Sequence, residues 1–536
     1  MAFCEQCGAR LTTGARFCEE CGTPVEVGIS EVAAQSSSES KNWYNSFAVF
    51  KSGNWKKEWQ KAAEDASGEE LGIMMTSEAS LAAQLGVDAD DLRDTIVSYM
   101  RSADKRGVHY YYLDVEDNAI GNVEGSDVAG IVSLLRRIVE VARPKYLFVL
   151  GNEEIIDVAT WDNEANDSDS DVYSDLVYST LDTISPWEGQ EFNASEALRV
   201  GRLPTTNGRF GDFTAYFENA MQGIGNVGKI RPYGLSALVW KEESNEEYSS
   251  VSDSKVDTCP EVGRWGVDKL IVKAEPNLFF FNLHGSDDTR FWYGQKGGEY
   301  PKAMSPDVIK EFPRAFFLGV EACYGARYIE LEPEESIVKT ALANKCLALL
   351  GSSKIAYGTS EPEGSCADIV IGEFIRQIAK GDTAGDAHIA GLKKLTSASE
   401  MDDSDIKTLA EFALYGDPSA CTGKNRNLGA MKGFMKKFGG VSKGIHIPMP
   451  DVRRATKLLL AEVDAKIERA IDDYVVASLM PAIKQKGFSV EQKVFRMQNG
   501  RMNQKMYLME TDEHIRQIAK VYFDDNGKVH KALLSK

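Results

Sequence analysis

The sequence predicts an α/β fold, a largely parallel sheet flanked by helices, with a small cysteine-rich unit before it and an α+β unit after it. Three observations carry this. Apolar runs of strand length alternate with segments of helical periodicity through most of the 536 residues. Two of those runs, Phe279–Leu283 and Ala315–Ala322, end on one reactive residue each, His284 and Cys323. Two Cys-x-x-Cys pairs sit within the first 27 residues.

Residues 1–27 form the first unit. Cys4 and Cys7 are separated by ten residues from Cys18 and Cys21, and Gly8 and Gly22 follow the pairs. Glycine permits a tight knuckle whose amides point at thiolate sulfur, and four thiolates from two knuckles make a closed tetrahedral zinc site. The segment resembles short zinc ribbons; four protein ligands leave no open position, so the expected metal is structural zinc. Residues 28–45 contain Ser36-Ser37-Ser38-Glu39-Ser40 and read as a flexible linker. Residues 46–425 read as one large domain with two parts, about 70–204 and 205–425. Asn54–Asp65 is expected as a short helix. An apolar run at Leu71–Met75, helices near Ser80–Arg101, a strand at Val108–Val115, a helix near Asp127–Val141 and a strand at Tyr146–Leu150 follow in order, the alternation of a parallel sheet. The same alternation resumes through 266–415. Residues 426–536 read as a basic connector plus a small accessory domain. Val452, Leu459, Val463, Ile467, Ile471 and Val475 share a helical spacing that predicts one long amphipathic helix over 451–480. Runs at Lys493–Met497, Gln504–Glu510 and Ile515–Phe523 predict strands, with Asn499-Gly500 and Asn526-Gly527 as turns.

A net charge of −20 argues against nucleic acid as the main partner. Basic residues concentrate between Lys424 and Lys457, expected as a solvated connector on an acidic neighbour. No apolar run approaches the ~18 residues of a membrane span, and the first residues lack a secretory signal pattern. The expectation is a cytoplasmic protein without membrane contact. Five scattered cysteines (Cys259, Cys323, Cys346, Cys366, Cys421) beside the N-terminal four suggest reduced thiols rather than a disulfide framework.

Adjacent strands that end together would bring His284 beside Cys323. A thiol next to an imidazole is how a cysteine nucleophile is activated. Either residue alone reads as structural, a capped histidine or a core cysteine. The Gly after the histidine and the Glu321-Ala322-Cys323-x-Gly325 turn favour the pair as a catalytic dyad.

Further segments carry a resemblance. Tyr146–Gly151 (YLFVLG), Ser174-Asp175-x-x-Tyr178, Val200-Gly201-Arg202-Leu203-Pro204 and Gly416-Asp417-Pro418 resemble, in the same order, motifs of the gingipain-type cysteine peptidases, relatives of caspases. The resemblance spans about 70–425. It departs at the zinc ribbon, at the cytoplasmic start, and at an α+β tail where secreted members carry an immunoglobulin-like domain. It implies a caspase/gingipain-like fold, Cys323 as nucleophile, His284 as general acid/base, and the backbone N–H groups of Gly285 and Cys323 as oxyanion hole. It further implies a primary-pocket acid at Asp175, with Asp171 as the alternative register, and cleavage after Arg or Lys. Glu153 and Glu154 are the candidates for a group orienting His284. The stretch Gly351–Gly364 is expected as another pocket wall. The Asp/Ser-rich stretch 163–175 can be read as a solvated loop or a calcium site; its spacing fits no EF-hand, and calcium stays uncommitted.

The leading expectation is a cytosolic cysteine endopeptidase acting on protein substrates, latent until activated or self-processed, with the Lys424–Lys457 connector a candidate cleavage region. Regulatory protein partners would dock through the zinc ribbon or the C-terminal domain. The alternatives are a catalytically silent scaffold with a protease fold and a zinc-ribbon adapter. In residues 1–27 only Arg10 and Arg16 stand against Glu5, Glu19, Glu20 and Glu26, so an adapter would contact protein rather than nucleic acid.

Overall fold

Runs such as Tyr146–Leu150 and residues 316–320 are apolar along their whole length because both faces of their sheet are covered, the signature of parallel strands between helical layers. The computed structural model describes Lys57 and residues 70–117, 120, 122–189, 192–359, 364–397, 401–423, 459–460, 463–480, 490–496, 502–510 and 515–536. The zinc ribbon, the linker, the helix expected at Asn54–Asp65 (Lys57 apart) and the basic connector lie outside the described residues. Residues 59–536 make up one compact unit.

In chain order the strands of the first part are β1 (Glu70–Thr76), β2 (Val108–Asp114), β3 (Tyr146–Leu150), β4 (Ala159–Asp162), β5 (Asp171–Ser174) and β6 (Arg199–Leu203). Those of the second are β7 (Pro232–Ala237), β8 (Asp257–Cys259), β9 (Leu278–Asn282), β10 (Trp292–Tyr293), β11 (Lys302–Met304), β12 (Phe316–Glu321), β13 (Cys346–Ser352), β14 (Tyr357–Gly358) and β15 (Phe412–Gly416). Ten of them build one sheet in the order β2-β1-β3-β6-β15-β13-β12-β9-β7-β8. Neighbours are parallel except at one seam, where β15 runs parallel to β6 but antiparallel to β13. The parts expected to divide at 204/205 share one continuous sheet: the last strand of the second part, β15, is stitched in beside β6 of the first, and strand direction reverses between β15 and β13.

The seam uses residues of the recurring motifs. Asp417 is fully buried and accepts hydrogen bonds from Tyr99 Oη, Tyr110 Oη (2.5 Å) and the amide and hydroxyl of Ser419 (2.7 and 2.9 Å). A buried carboxylate is tolerated only with such partners. Gly201 lets β6 approach β15: a Cβ there would lie 2.3 Å from the Gly416 carbonyl oxygen.

The second sheet has the order β14-β20-β19-β18-β17-β16, with β16 (Leu459–Leu460), β17 (Val490–Arg496), β18 (Asn503–Glu510), β19 (Arg516–Phe523) and β20 (Val529–Ser535). The single long helix expected over 451–480 is replaced. Leu459 pairs in a strand with Arg496, and the helix runs only Ala465–Tyr474, followed by a wider turn at Val475–Leu479. Pairing of Leu459–Leu460 with β17 supplies backbone partners that a helix would have kept within itself. Period-2 alternation splits β19 between two cores. Ala519, Val521 and Phe523 face Ile471, Val475 and Leu479, whereas Ile518 and Tyr522 pack with Met506 and Leu533 against Cys323, Ile355 and Tyr357. The accessory sheet is thus seated on the sheet edge that carries Cys323. Polar ties hold it there: Tyr522 Oη donates to Asp403 at 2.6 Å, and Lys531 Nζ reaches Asp402 and Asp405 at 2.6 and 2.9 Å.

Gly201→Ala should place a methyl group against backbone at the seam and cost about 1–3 kcal/mol. Urea denaturation checks it; wild-type stability in this variant would mean the seam is slack.

Candidate active site

β9 and β12 are parallel neighbours with Asn282 opposite Glu321. His284 and Cys323 each lie two residues beyond that pair, so both leave the sheet at the same edge, in matching register. The Leu283 amide donates to the Glu321 carbonyl at 3.3 Å and extends the pairing past the strand ends. Gly285 presses against the cysteine backbone: a Cβ there would lie 1.7 Å from the Cys323 carbonyl oxygen, so any larger residue would force the two turns apart. The turn after Cys323 is abrupt. Tyr324 holds φ 53°, uncommon for a bulky residue, and its amide donates to the Lys354 carbonyl at 2.7 Å.

Gln295 supports the histidine. An isolated two-way bridge between His284 and Tyr293 (2.9 and 2.8 Å) brings β10 alongside and sets Gln295 against the ring. The Gln295 amide nitrogen donates to the Gly297 carbonyl (3.0 Å) and Tyr300 Oη (3.2 Å). Its Oε1 therefore accepts from His284 Nε2–H at 2.7 Å, which assigns the proton to Nε2 and leaves Nδ1 as a bare base. Nδ1 is buried without a hydrogen-bond partner. Glu153 and Glu154, expected near this ring, are elsewhere. They follow β3, five places from β9 in the sheet, ~24 Å at the ordinary strand spacing, and β3 points the opposite way. Glu154 instead accepts from Gln84 at 3.1 Å.

Both reactive groups are closed off. His284 is fully buried and Cys323 is 2% exposed. Burial holds the imidazole down at about 4, with the Lys536 ammonium acting in the same direction, and it pushes the Cys323 thiol up. In this arrangement both groups are neutral at pH 7.

The closing element is β20. It pairs antiparallel with β14, Tyr357 opposite Ser535 and Gly358 opposite Leu534. Next along the chain, the Lys536 amide donates to the Ala356 carbonyl at 2.9 Å, and the Lys536 carbonyl accepts the Cys323 amide at 3.1 Å. The Lys536 side chain enters a fully enclosed acidic pocket. Its Nζ lies 2.9 Å from Asp368, 3.3 Å from Glu243 and 3.6 Å from Glu321, with the Trp240 ring at 4.5 Å. Trp240 also packs on the His284 ring, at 4.3 Å between centroids. Glu247 completes the group of carboxylates. Burial drives Glu243, Glu247 and Glu321 upward, Glu321 to about 8, against the pull of the Lys536 ammonium on Glu243 and Glu321.

The expectation that Asp175 or Asp171 serves as a pocket acid is corrected, because each carboxylate already has a resident cation. Arg202 Nε and an Nη bind the two oxygens of Asp175 at 2.8 and 2.6 Å, with Arg202 wholly buried. Asp171 is paired with Lys354 and held below the usual carboxylate range, the Lys354 bond overcoming burial. The Ser-Asp-x-x-Tyr and Val-Gly-Arg segments thus lock to each other. In the stretch that could bind calcium, Lys407 Nζ sits between Asp167 (2.7 Å) and Asp169 (2.6 Å), so an ammonium takes the place a divalent cation would need. The expected wall Gly351–Gly364 supplies Ala356, Tyr357 and Gly358. Gln295, Trp240, Glu243, Glu247, Asp368 and Lys536 had no role in the sequence reading, and Glu321 entered it only as part of the turn before Cys323. The available signals were Glu321 at the end of an otherwise apolar strand and the i,i+4 pair Glu243/Glu247.

The comparisons with known proteins enter here. Residues 3–25 match the zinc-ribbon domain family. The chain is also similar to the crystal structure of the Arg-specific cysteine proteinase gingipain R, at 9% identity and a TM-score of 0.49, over 87% of this chain and 97% of that one. No curated protein matches. Among the described residues no helix is long and apolar enough to cross a membrane.

Asp175→Asn should strand the buried Arg202 guanidinium and lower unfolding free energy by about 3–5 kcal/mol. A variant as stable as wild type would show that the pair is not structural and would return Asp175 to the candidate pocket acids.

Proposed function

We propose that this chain is a cysteine endopeptidase in which Cys323 is the nucleophile and His284 the general acid/base. The observation carrying this reading is the β9/β12 register, which ends both strands abreast with a bare imidazole Nδ1 and a cysteine amide directed at a peptide carbonyl. In the mechanism, His284 Nδ1 takes the thiol proton as sulfur attacks the scissile carbonyl carbon. The developing oxyanion is held by the Cys323 N–H, with Gly285 the second donor expected; one such donor is worth about 3 kcal/mol of barrier. Collapse breaks the C–N bond, His284 gives its proton to the leaving amine, and a thioester remains. Water, deprotonated at the same Nδ1, then releases the acid product and restores the thiol. Gln295 keeps the ring in the productive tautomer throughout. The preferred residue on the acyl side is basic, and the substrate is protein.

The enclosed dyad belongs to a latent form. Both groups end neighbouring strands but are neutral and out of reach of solvent, and the Cys323 thiol donates to the Ala356 carbonyl at 3.5 Å while His284 Nδ1 is unpartnered. Gating, rather than a silent scaffold, is the reading that fits a pair still to be brought together. A cytoplasmic setting fits the reduced thiols. Cys4, Cys7, Cys18 and Cys21 are assigned to one structural zinc by their donor chemistry, four thiolates with no open ligand position.

Fluorogenic peptides varied at the acyl-side residue test the chemistry. Cleavage should favour Lys or Arg and fall about 10³-fold or more in Cys323→Ala; undiminished cleavage in that variant would sink the assignment. For the zinc, a mercurial titrated against a metallochromic dye should release one equivalent per chain, and none from the Cys4→Ser/Cys7→Ser double variant. Equal release from both would place the metal elsewhere.

A further inference from the structure

We infer that Leu534-Ser535-Lys536 lies in the cleft as a tethered substrate mimic, with Lys536 filling the primary specificity pocket, so that the enzyme recognises lysine and its own last strand holds it shut. This rests on the peptidase reading above and adds to it the identity of the pocket and of its occupant.

Three independent features of the segment coincide. Its backbone is extended and paired antiparallel with β14, the way an edge strand receives a peptide. Its Lys536 carbonyl is on the Cys323 amide, where the carbonyl of a residue to be cleaved would be polarised. Its Lys536 side chain is wholly buried in a cluster of carboxylates that belong to the large domain. Ser535, Leu534 and Lys536 thus occupy the second, third and first acyl-side positions of a peptide. A lysine docked for packing alone would not require its carbonyl on the nucleophile's amide, nor a two-residue strand to receive its backbone.

The pocket favours an ammonium. Asp368, Glu243 and Glu321, three separate carboxylates, lie 2.9, 3.3 and 3.6 Å from Lys536 Nζ, a number that matches the three donors of an ammonium, whereas the flat fork of arginine wants two oxygens in one plane. The Trp240 face adds a cation–π contact. The neck is narrow. A Cβ on Gly358 would lie 2.0 Å from Lys536 Cε and 2.2 Å from Asp368 Oδ1, so only glycine at 358 leaves room for the side chain to pass. Several carboxylates around a single ammonium also explain the retention of Lys536. Withdrawing it leaves buried acids without their cation, an unfavourable state until a substrate lysine or protons replace it. Activation then consists of drawing β20 off β14 together with β19, whose Ile518 and Tyr522 also pack on Cys323, which uncovers the thiol and the pocket in one movement. The accessory sheet reaches the histidine support as well: Tyr300 Oη, bonded to Gln295, donates to Gln517 of β19 at 3.1 Å.

The test compares wild type, Lys536→Ala, and Lys536→Ala combined with Glu321→Gln or with Gly358→Ala. Each is assayed on acetyl-Leu-Leu-Ser-Lys-coumarin and its Arg and Asp analogues, with Cys323 labelling by a lysyl acyloxymethyl ketone read by mass spectrometry. Lys536→Ala should raise kcat/KM on the Lys substrate at least tenfold and speed labelling by as much. In that background, Glu321→Gln should erode the preference for Lys over Arg, and Gly358→Ala should abolish cleavage after Lys. The peptide Leu-Leu-Ser-Lys added in trans should inhibit the Lys536→Ala protein, while Leu-Leu-Ser-Ala should not. This arm stays decisive if one of the double variants folds poorly. Cys323-dependent cleavage that is equally fast in wild type and Lys536→Ala, or that prefers Asp, would overturn the tethered-mimic inference and leave the peptidase reading intact. No cleavage and no labelling in any variant would overturn both.

Discussion

Everything chemical in this molecule depends on the pairing of β9 with β12. Parallel pairing with Asn282 opposite Glu321 fixes three things at once. It ends both strands at one edge, it brings the chain at His284 and Cys323 out in matching register, and it places Glu321, a member of the buried carboxylate cluster, two residues before the proposed nucleophile. Side chains alternate faces along a strand, so a one-residue slip would turn Glu321 away from the pocket and separate the dyad. The strands are wholly apolar up to this point because helix Ala367–Lys380 packs across β12 and β9, and that helix also brings Asp368 to the pocket. Fold and site share the same packing.

The first half of the sheet does a different job. Its recurring motifs look functional in isolation because they hold charged residues, yet the charges are met within the protein: Arg202 with Asp175, Lys407 with Asp167 and Asp169, and Asp417 with Arg106 and a ring of hydroxyls. Breaking such a buried pair is far costlier than never having it, because the survivor is left uncompensated. These pairs hold the seam and the long 151–175 excursion, and through Lys354, Asp169 and Tyr324 they support the loop behind Cys323.

This explains what was legible in the sequence and what was not. Local patterns announced themselves: the apolar strands, the placement of His284 and Cys323 just beyond two neighbouring strand ends, and three of the accessory strands. Charge partners did not, because Asp175 and Arg202 meet only through the fold, and a motif acid gives no sign whether its partner is a substrate or a neighbour. The strand Val529–Ser535 was missed for a similar reason. Its His530 and Lys531 dilute the alternation, and its pairing with Tyr357–Gly358 spans about a third of the chain, beyond the reach of any local pattern. Glu153 and Glu154 failed on direction. Their place at a strand end after a glycine was read correctly, but the reversal at the seam sends that end to the opposite edge of the sheet.

The closed state also bears on how a thiol can be stored safely. An exposed cysteine beside a basic imidazole is a target for oxidation and for stray electrophiles. Here burial keeps sulfur and ring both neutral, with the imidazole at about 4, and an ammonium beside the ring works against its protonation. Once that ammonium leaves and water enters, both effects relax in the same direction. The imidazole would become easier to protonate and the thiol easier to ionise, which favours the proton transfer that the proposed attack requires. On the tethered-strand proposal, uncovering the cleft and activating the thiol would be one physical event, in which β20 moves together with β19, whose Ile518 and Tyr522 also cover Cys323.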